Sequence, residues 1–122
     1  SMRRERSFGS VTITSLDRDE ALTALRRSAQ RLRAAYAEVT AVWLFGSLAR
    51  GDHVGASDAD VLVELAPGTL GEPFDWVRRC LRFFDLPIGV DVLVLRQDEV
   101  ARRVAGGDPF LSRLWSERLR LA

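Results

Sequence analysis

The sequence predicts an α/β (α+β) fold: a small mixed β-sheet with helices packed mainly on one face. Short apolar runs rich in β-branched and aromatic residues predict buried strands, and longer stretches with apolar residues three and four apart predict amphipathic helices. The chain has 122 residues, 47% of them hydrophobic, which suffices for one core but not for a second, substrate-binding domain. We therefore expect a single domain over residues 16–122, preceded by an N-terminal tail over residues 1–15.

The first predicted element is a helix that begins near Asp17. Asp17 lies three residues before Glu20, which is the spacing of a capping box. The apolar residues that follow repeat at intervals of three and four, so they share one face of the helix, which we assign to the core. These residues are Leu22, Leu25, Ala29, Leu32 and Tyr36.

Three apolar runs predict the strands of the sheet. The first, Val39–Phe45, ends at Gly46, and the others cover residues 58–65 and residues 88–95. Directly after Gly46, Ser47–Arg50 can form a short helix whose free N–H groups would face an incoming anion. Gly46 lets the backbone approach that anion closely. The corner between the first strand and this helix is therefore predicted to bind phosphate.

Prolines and glycines delimit the remaining helices. Pro73 suits a helix N-terminus, two glycines stop a helix over residues 97–105, and a last helix runs from residue 109 to about residue 119. The predicted buried side of the Pro73 helix consists of Phe74, Val77, Cys80, Leu81 and Phe84. The last helix carries an apolar stripe, assigned to the core, with an interface to a partner or a second copy as the alternative. The stripe consists of Phe110, Leu111, Leu114, Trp115 and Leu119.

Three aspartates interrupt or begin the predicted strands. Asp58 and Asp60 are two residues apart, so their side chains leave the same face of a strand, separated by about 6.6 Å of strand rise. Asp91 lies in an otherwise apolar strand, where an unpaired buried carboxylate would be costly. A divalent cation would relieve the repulsion between such carboxylates, and Mg²⁺ commonly bridges them to substrate phosphates. If the two strands are neighbours, three carboxylates can hold two metal ions.

The spacing of these residues resembles a known signature. A Gly-Ser pair that begins at Gly46, then ten residues, then an Asp-x-Asp motif at Asp58 and Asp60, with the later Asp91, resembles the DNA polymerase beta-like nucleotidyltransferase superfamily. Within that superfamily, the sequence around the two motifs resembles the minimal nucleotidyltransferases. The resemblance covers roughly residues 39–95 and implies the polymerase beta-like fold.

The resemblance also implies a role for each motif. The nucleoside triphosphate would be bound by Gly46, Ser47, Arg50 and Ser57. The three aspartates would ligate two Mg²⁺ ions, with Mn²⁺ as the alternative, and Asp91 would help to deprotonate the attacking hydroxyl group. The resemblance thus implies a nucleotidyltransferase that uses ATP or another nucleoside triphosphate.

The minimal nucleotidyltransferases that the chain resembles act as antitoxins. They bind a helical HEPN toxin and, in some cases, attach adenylate to one of its tyrosines. The resemblance therefore implies an enzyme that transfers AMP, or another nucleoside monophosphate, to a HEPN-type toxin. Two alternatives stay open: a non-catalytic module that neutralises its partner by contact, and an antibiotic-modifying nucleotidyltransferase whose small acceptor binds in a dimer cleft.

The composition limits the chemistry and the location. All 18 basic residues are Arg, so no Lys is available for a P-loop or a Schiff base. One Cys and one His exclude disulfide scaffolds and ordinary Cys/His zinc sites, and they fit a reducing cytoplasm. The net charge of +1 argues against long nucleic acid, which stays only as an alternative acceptor. No apolar run predicts a membrane span. The histidine, His53, is kept as an accessory contact to phosphate or base.

Overall fold

The computed structural model describes residues 3–8, 11–52 and 58–122, with the backbone alone for residues 3–8 and 11–16. These residues form six strands and five helices. In chain order they are β1 Arg3–Phe8, β2 Val11–Leu16, α1 Arg18–Ala35, β3 Val39–Phe45, α2 Ser47–Arg50, β4 Ala59–Leu65, α3 Pro73–Leu81, β5 Val90–Arg96, α4 Gln97–Ala105, α5 Pro109–Glu117 and β6 Leu119–Arg120.

Strands β3 to β6 form a four-stranded mixed sheet in the order β5-β4-β3-β6. Strand β3 runs antiparallel to β4 and β6, whereas β4 and β5 are parallel and are connected through α3. The mixed sheet predicted from the sequence is therefore confirmed. In this register Asp60 lies opposite Phe45 on one side and Asp91 on the other.

Two hydrophobic clusters cover the two faces of the sheet. Odd-numbered residues of β4, such as Val61 and Val63, belong to a cluster with residues of α1, α2 and α3. Leu62 belongs to a second cluster with residues of α4 and α5. Three of the five described helices, including the longest, thus share one face as predicted, but α4 and α5 cover the other. Asp60 lies on the α4 and α5 side, because residues two apart on a strand share a face.

Helix α1 begins where predicted because Asp17 caps it. The Oδ1 atom of Asp17 accepts hydrogen bonds from the backbone N–H groups of Asp19 and Glu20, at 2.9 and 3.3 Å. These bonds satisfy donors that the first helical turn leaves open. The predicted apolar stripe is confirmed, since its helical residues are buried: Leu22, Leu25, Ala29 and Leu32.

The buried side of α3 differs from the predicted one. Phe74 is 70% exposed and Leu81 is 40% exposed, whereas Trp76, which the prediction omitted, is 1% exposed. Trp76, Cys80 and the following Phe84 are spaced by four residues and form the buried stripe. Burying the large indole in place of Phe74 removes more apolar surface from water, and its Nε1 still donates a hydrogen bond, at 2.9 Å to a backbone carbonyl.

The prediction for Cys80 is confirmed. Its thiol is buried, and this burial raises the pKa of Cys80 to about 12. A thiol that ionises so high supplies no thiolate near neutral pH. Cys80 therefore serves as a small core residue.

The C-terminal part of the chain contains a strand that the sequence prediction missed. Helix α5 begins at the cap Asp108, whose Oδ1 accepts from the backbone N–H of Leu111 at 2.9 Å, and ends at Glu117. Strand β6 follows and pairs with the β3 residues Trp43 and Leu44. A two-residue strand has too little pattern to be read from sequence. Its pairing with β3 brings the end of α5 beside the end of that strand.

The predicted apolar stripe on the last helix is correct for three residues and wrong for two. Leu111 and Leu114 are buried in the second cluster, with Trp115 packed against it. Leu119 lies in β6 and packs against the first cluster instead. Phe110 is 53% exposed, because it lies in the first turn of α5 at the rim of a cavity described below.

The N-terminal residues form structure where a tail is predicted. Strands β1 and β2 pair antiparallel, with Arg3 opposite Leu16 and Phe8 opposite Val11, as a two-stranded sheet. The β-branched residues at positions 11 to 14 favour the extended backbone that the prediction overlooked.

Across the described part of the chain, no helix combines the length and apolar character that a membrane crossing requires.

Candidate active site

The three predicted aspartates lie at one edge of the sheet. Asp60 and Asp91 are register partners on the parallel strands β4 and β5, and Asp58 directly precedes β4. Asp58 and Asp91 are exposed, and Asp60 is partly buried. The burial cost considered for Asp91 therefore does not arise. The three aspartates thus occupy neighbouring positions at the start of two paired strands.

Like charges crowd around Asp60. Burial raises the pKa of the Asp60 carboxyl above its ordinary value, and the negative charges of Asp91, Asp58 and Glu117 raise it further. The Arg50 guanidinium opposes them but does not cancel them. The charged form of Asp60 is thus disfavoured by its surroundings, and a cation bound nearby would relieve this.

The donor set at this edge suits a hard divalent cation, because all three side chains supply carboxylate oxygens. Within residues 17–52 and 58–122, however, no group of three His, Cys, Asp or Glu side chains is arranged to hold one ion. The residues therefore fit a metal by their chemistry, charge and strand positions. Their side chains would have to turn towards it.

Gly46 connects β3 to α2 directly against the Asp60 carboxylate. Its φ angle is +79°, in the left-handed region that favours glycine. A Cβ atom at this position would overlap Oδ2 of Asp60. The backbone conformation therefore favours glycine, and any side chain here would displace the Asp60 carboxylate.

Gly89 stands in the same relation to Asp58, and the sequence prediction did not single it out. A Cβ atom at Gly89 would overlap Oδ1 of Asp58. Its carbonyl oxygen accepts a hydrogen bond from the Ala59 N–H at 2.9 Å, which ties it to the start of β4. A glycine two residues before Asp91 was the only signal available in the sequence.

Glu117 is the second residue that the sequence prediction missed. Its Oε1 accepts the backbone N–H of Gly46 and its Oε2 pairs with Nη1 of Arg50, both at 2.9 Å. Burial would raise the pKa of Glu117, but hydrogen bonds from Arg50 and from the Gly46 N–H outweigh it and hold the pKa below its ordinary value. A negative charge in the last turn of a helix interacts unfavourably with the helix dipole. An acid at this position of the sequence therefore indicates a partner elsewhere in the fold.

Arg50, a predicted nucleotide-binding residue, joins Glu117 to a second acid. Its Nε donates to Oδ2 of Asp52 at 3.0 Å. The hydrogen bonds to Asp52 and Glu117 raise the pKa of Arg50 further above its already high value. The turn after β3 thus binds carboxylate oxygens through one backbone N–H and one guanidinium.

Several of these groups border an open cavity of about 380 Å³, whereas Asp58 and Asp91 do not line it. Gly46, Ser47, Arg50 and Asp60 form one side of it, and the side facing them comes from α5. The α5 side consists of Phe110, Arg113, Leu114 and Glu117. The predicted residues Ser57 and His53 lie outside the described residues.

A comparison with known protein families agrees with this fold. A family model described as nucleotidyltransferase domain matches residues 25–113, which include the Gly-Ser turn, the three aspartates and half of α5. The chain belongs to the nucleotidyltransferase domain family. The resemblance predicted from the sequence is thereby confirmed for this nucleotidyltransferase domain, and Glu117 lies beyond the matched residues.

Two solved structures share the fold of this nucleotidyltransferase domain. One is a proposed nucleotidyltransferase from Sulfolobus solfataricus, with a TM-score of 0.62 and 22% identity over 84% of this chain and 80% of that chain. The other is a toxin–antitoxin structure with AMP-PNP, with a TM-score of 0.52 and 18% identity over 80% of this chain and 72% of that chain. At these identities the likeness shows the fold. No curated protein sequence matches the chain.

Proposed function

We propose that the protein is a metal-dependent nucleotidyltransferase that moves a nucleoside monophosphate, AMP first among them, from a nucleoside triphosphate to a hydroxyl group of a partner protein. The observation that supports this most is the meeting of an acidic strand edge with a turn that binds an anion. The Gly46 N–H and Arg50 both hold the carboxylate of Glu117. A phosphate oxygen carries the same charge and accepts the same hydrogen bonds.

In this proposal Gly46, Ser47 and Arg50 hold the phosphates, with Ser57 as a further candidate. The three aspartates would hold two Mg²⁺ ions, with Mn²⁺ as the alternative. When bound, the ions would neutralise charge on the carboxylates and phosphates.

The transfer itself is an in-line displacement at the α-phosphorus. The acceptor oxygen bonds to the α-phosphorus while the bond from that phosphorus to the β-phosphate oxygen breaks, and pyrophosphate leaves. The hydroxyl proton passes to the Asp91 carboxylate. Asp91 is suited to this role because it is exposed at the strand edge, where an acceptor can approach.

The acceptor that we propose is a tyrosine of a helical HEPN-type toxin, so that the protein acts as an antitoxin. The toxin–antitoxin structure that shares this fold contains AMP-PNP, an ATP analogue, which supports both ATP as donor and a toxin as partner. A cytoplasmic location goes with this proposal and stays a prediction from the sequence.

The test is a transfer assay with Mg²⁺, ATP labelled at the α-phosphate, and the protein encoded by the adjacent gene. Label on a tyrosine of that neighbour, lost with Asp60→Asn and kept with Glu64→Gln, is the expected result. A tight complex without label would replace the proposal with neutralisation by contact. Label found only on added aminoglycoside-like alcohols would replace it with small-molecule modification.

A further inference from the structure

An exposed aromatic ring borders the active-site cavity. Phe110 remains largely in contact with solvent, although its neighbours Leu111 and Leu114 are buried. Its ring is nearly perpendicular to that of Phe45, at an interplanar angle of 88° with ring centres 6.0 Å apart. Phe45 therefore holds the orientation of the ring while leaving much of its surface open to the cavity.

Phe110 and the anion-binding end of the cavity lie on one face of α5. Phe110 and Glu117 are seven residues apart, which is about two helical turns and about 10.5 Å along the axis. Arg113 lies between them and lines the same cavity. Glu117 marks the end where Gly46 and Arg50 bind a carboxylate. The length of this face matches the span from the phosphates to the base of a nucleotide.

We infer that Phe110 is the stacking surface for the base of the nucleotide whose phosphates bind at Gly46 and Arg50. The inference rests on the proposed function and adds to it a preference among nucleotides. Stacking on an aromatic ring tolerates every base, since each has a π-face. Purines offer the larger face, so the protein binds ATP and GTP similarly and both more tightly than CTP and UTP.

The chain supplies a matched control for Phe110. Phe74 also follows the proline at the start of a helix, and it is even more exposed, but it does not line the cavity. Phe110→Ala and Phe74→Ala each remove an exposed phenyl group from the first turn of a nine-residue helix, so the two changes are alike apart from the cavity. A loss specific to Phe110→Ala is therefore a property of the cavity.

The experiment is a calorimetric titration of the wild type, Phe110→Ala, Phe110→Trp and Phe74→Ala with MgATP, MgUTP and inorganic triphosphate. Phe110→Ala should weaken ATP binding by about 5- to 150-fold, the usual effect of removing one stacking ring. It should weaken UTP binding less and leave inorganic triphosphate binding unchanged. Phe110→Trp should retain ATP affinity, and Phe74→Ala should match the wild type.

Two results would overturn the inference while leaving the proposed function intact. One is ATP affinity in Phe110→Ala equal to that in Phe74→Ala. The other is an equal loss of ATP and triphosphate binding, which would show that the ring only supports the cavity. If ATP binds as expected but no transfer occurs, the inference stands and the proposed function fails. A wild type that binds no nucleotide would overturn both.

Discussion

Two cavities open on the α4 and α5 side of the sheet, and each is lined by one acidic residue of β4. The two acids have different surroundings. In the larger cavity, of about 530 Å³, Glu64 is 4% exposed and accepts a hydrogen bond from Nε1 of Trp43 at 2.6 Å. In the smaller, of about 380 Å³, burial raises the pKa of Asp60, and neighbouring like charges raise it further. The fold gives one acid a hydrogen-bond donor and surrounds the other with like charges, so local electrostatics, rather than cavity volume, marks the smaller cavity as the candidate site.

The strongest test of this comparison converts the β4 acid of each cavity to its amide. Asp60→Asn should lower the transfer rate at least about 10³-fold, because it removes a carboxylate that the bound cations need. Glu64→Gln, four residues along the same face of β4, should leave the rate within about twofold. Initial rates with labelled ATP measure both. Equal losses would show that the two acids do not differ in role.

Asp91→Asn separates binding from chemistry at the register partner of Asp60. Transfer should stop, while MgATP affinity stays within about threefold, because in the proposed function the phosphates would be held mainly at the turn after β3 and through cations on the other two aspartates. Affinity, transfer and partner binding are measured on the one variant. Full neutralisation of the partner by a variant without transfer would show that contact alone suffices.

Gly46→Val tests whether the phosphate turn depends on its closeness to Asp60. The added side chain should weaken triphosphate affinity more than about 100-fold, since it combines backbone strain with overlap of the carboxylate. Gly68 has φ +78° and nothing within 4 Å of an added Cβ, so Gly68→Val controls for strain alone. Similar affinities in the two variants would argue that the turn does not bind phosphate.

Ser47→Ala should have a smaller effect on the same measurement. Loss of one hydroxyl group that bonds phosphate should cost about 1 to 3 kcal/mol of nucleotide binding free energy. Ser116→Ala is the control, because Ser116 on α5 donates to the carbonyl oxygen of Arg113 and does not line the cavity. If neither Ser47→Ala nor Gly46→Val changes nucleotide affinity, the turn after β3 does not bind phosphate.

Glu117 is an acid of the smaller cavity that the fold does satisfy, and its removal sharpens the comparison. Glu117→Gln should raise triphosphate affinity about 2- to 5-fold, the scale of one solvent-screened ion pair, because phosphate then competes with a neutral group. Since the folded pKa of Glu117 lies below its ordinary 4.5, its charge stabilises the fold above pH 4.5. That contribution is lost as the pH falls further, so the difference in Tm between wild type and variant should shrink there. A pH-independent difference would contradict the ion pair.

The period of a strand explains why the common location of the three aspartates could be predicted from sequence. Asp58 and Asp60 had to share a face, and the neighbouring strand then brought Asp91 beside them. Glu117 could not be predicted, because its contact with Gly46 joins residues 71 positions apart and depends on how α5 crosses β3. The rotation of α3 about its axis could not be predicted either. Phe74 and Trp76 are both apolar, and only the packing of the folded chain buries Trp76 and leaves Phe74 exposed.

The glycine opposite Asp58 makes the loss of this carboxylate hard to reverse. While the aspartate is present, a side chain at Gly89 would overlap it, so the glycine is held in place. If position 58 mutates first to a smaller residue, this overlap disappears, and position 89, whose φ is not positive, can carry a side chain without left-handed strain. Once position 89 carries a side chain, a restored aspartate at position 58 would overlap that side chain. Recovery then takes two substitutions where loss took one, and the order in which they occur matters.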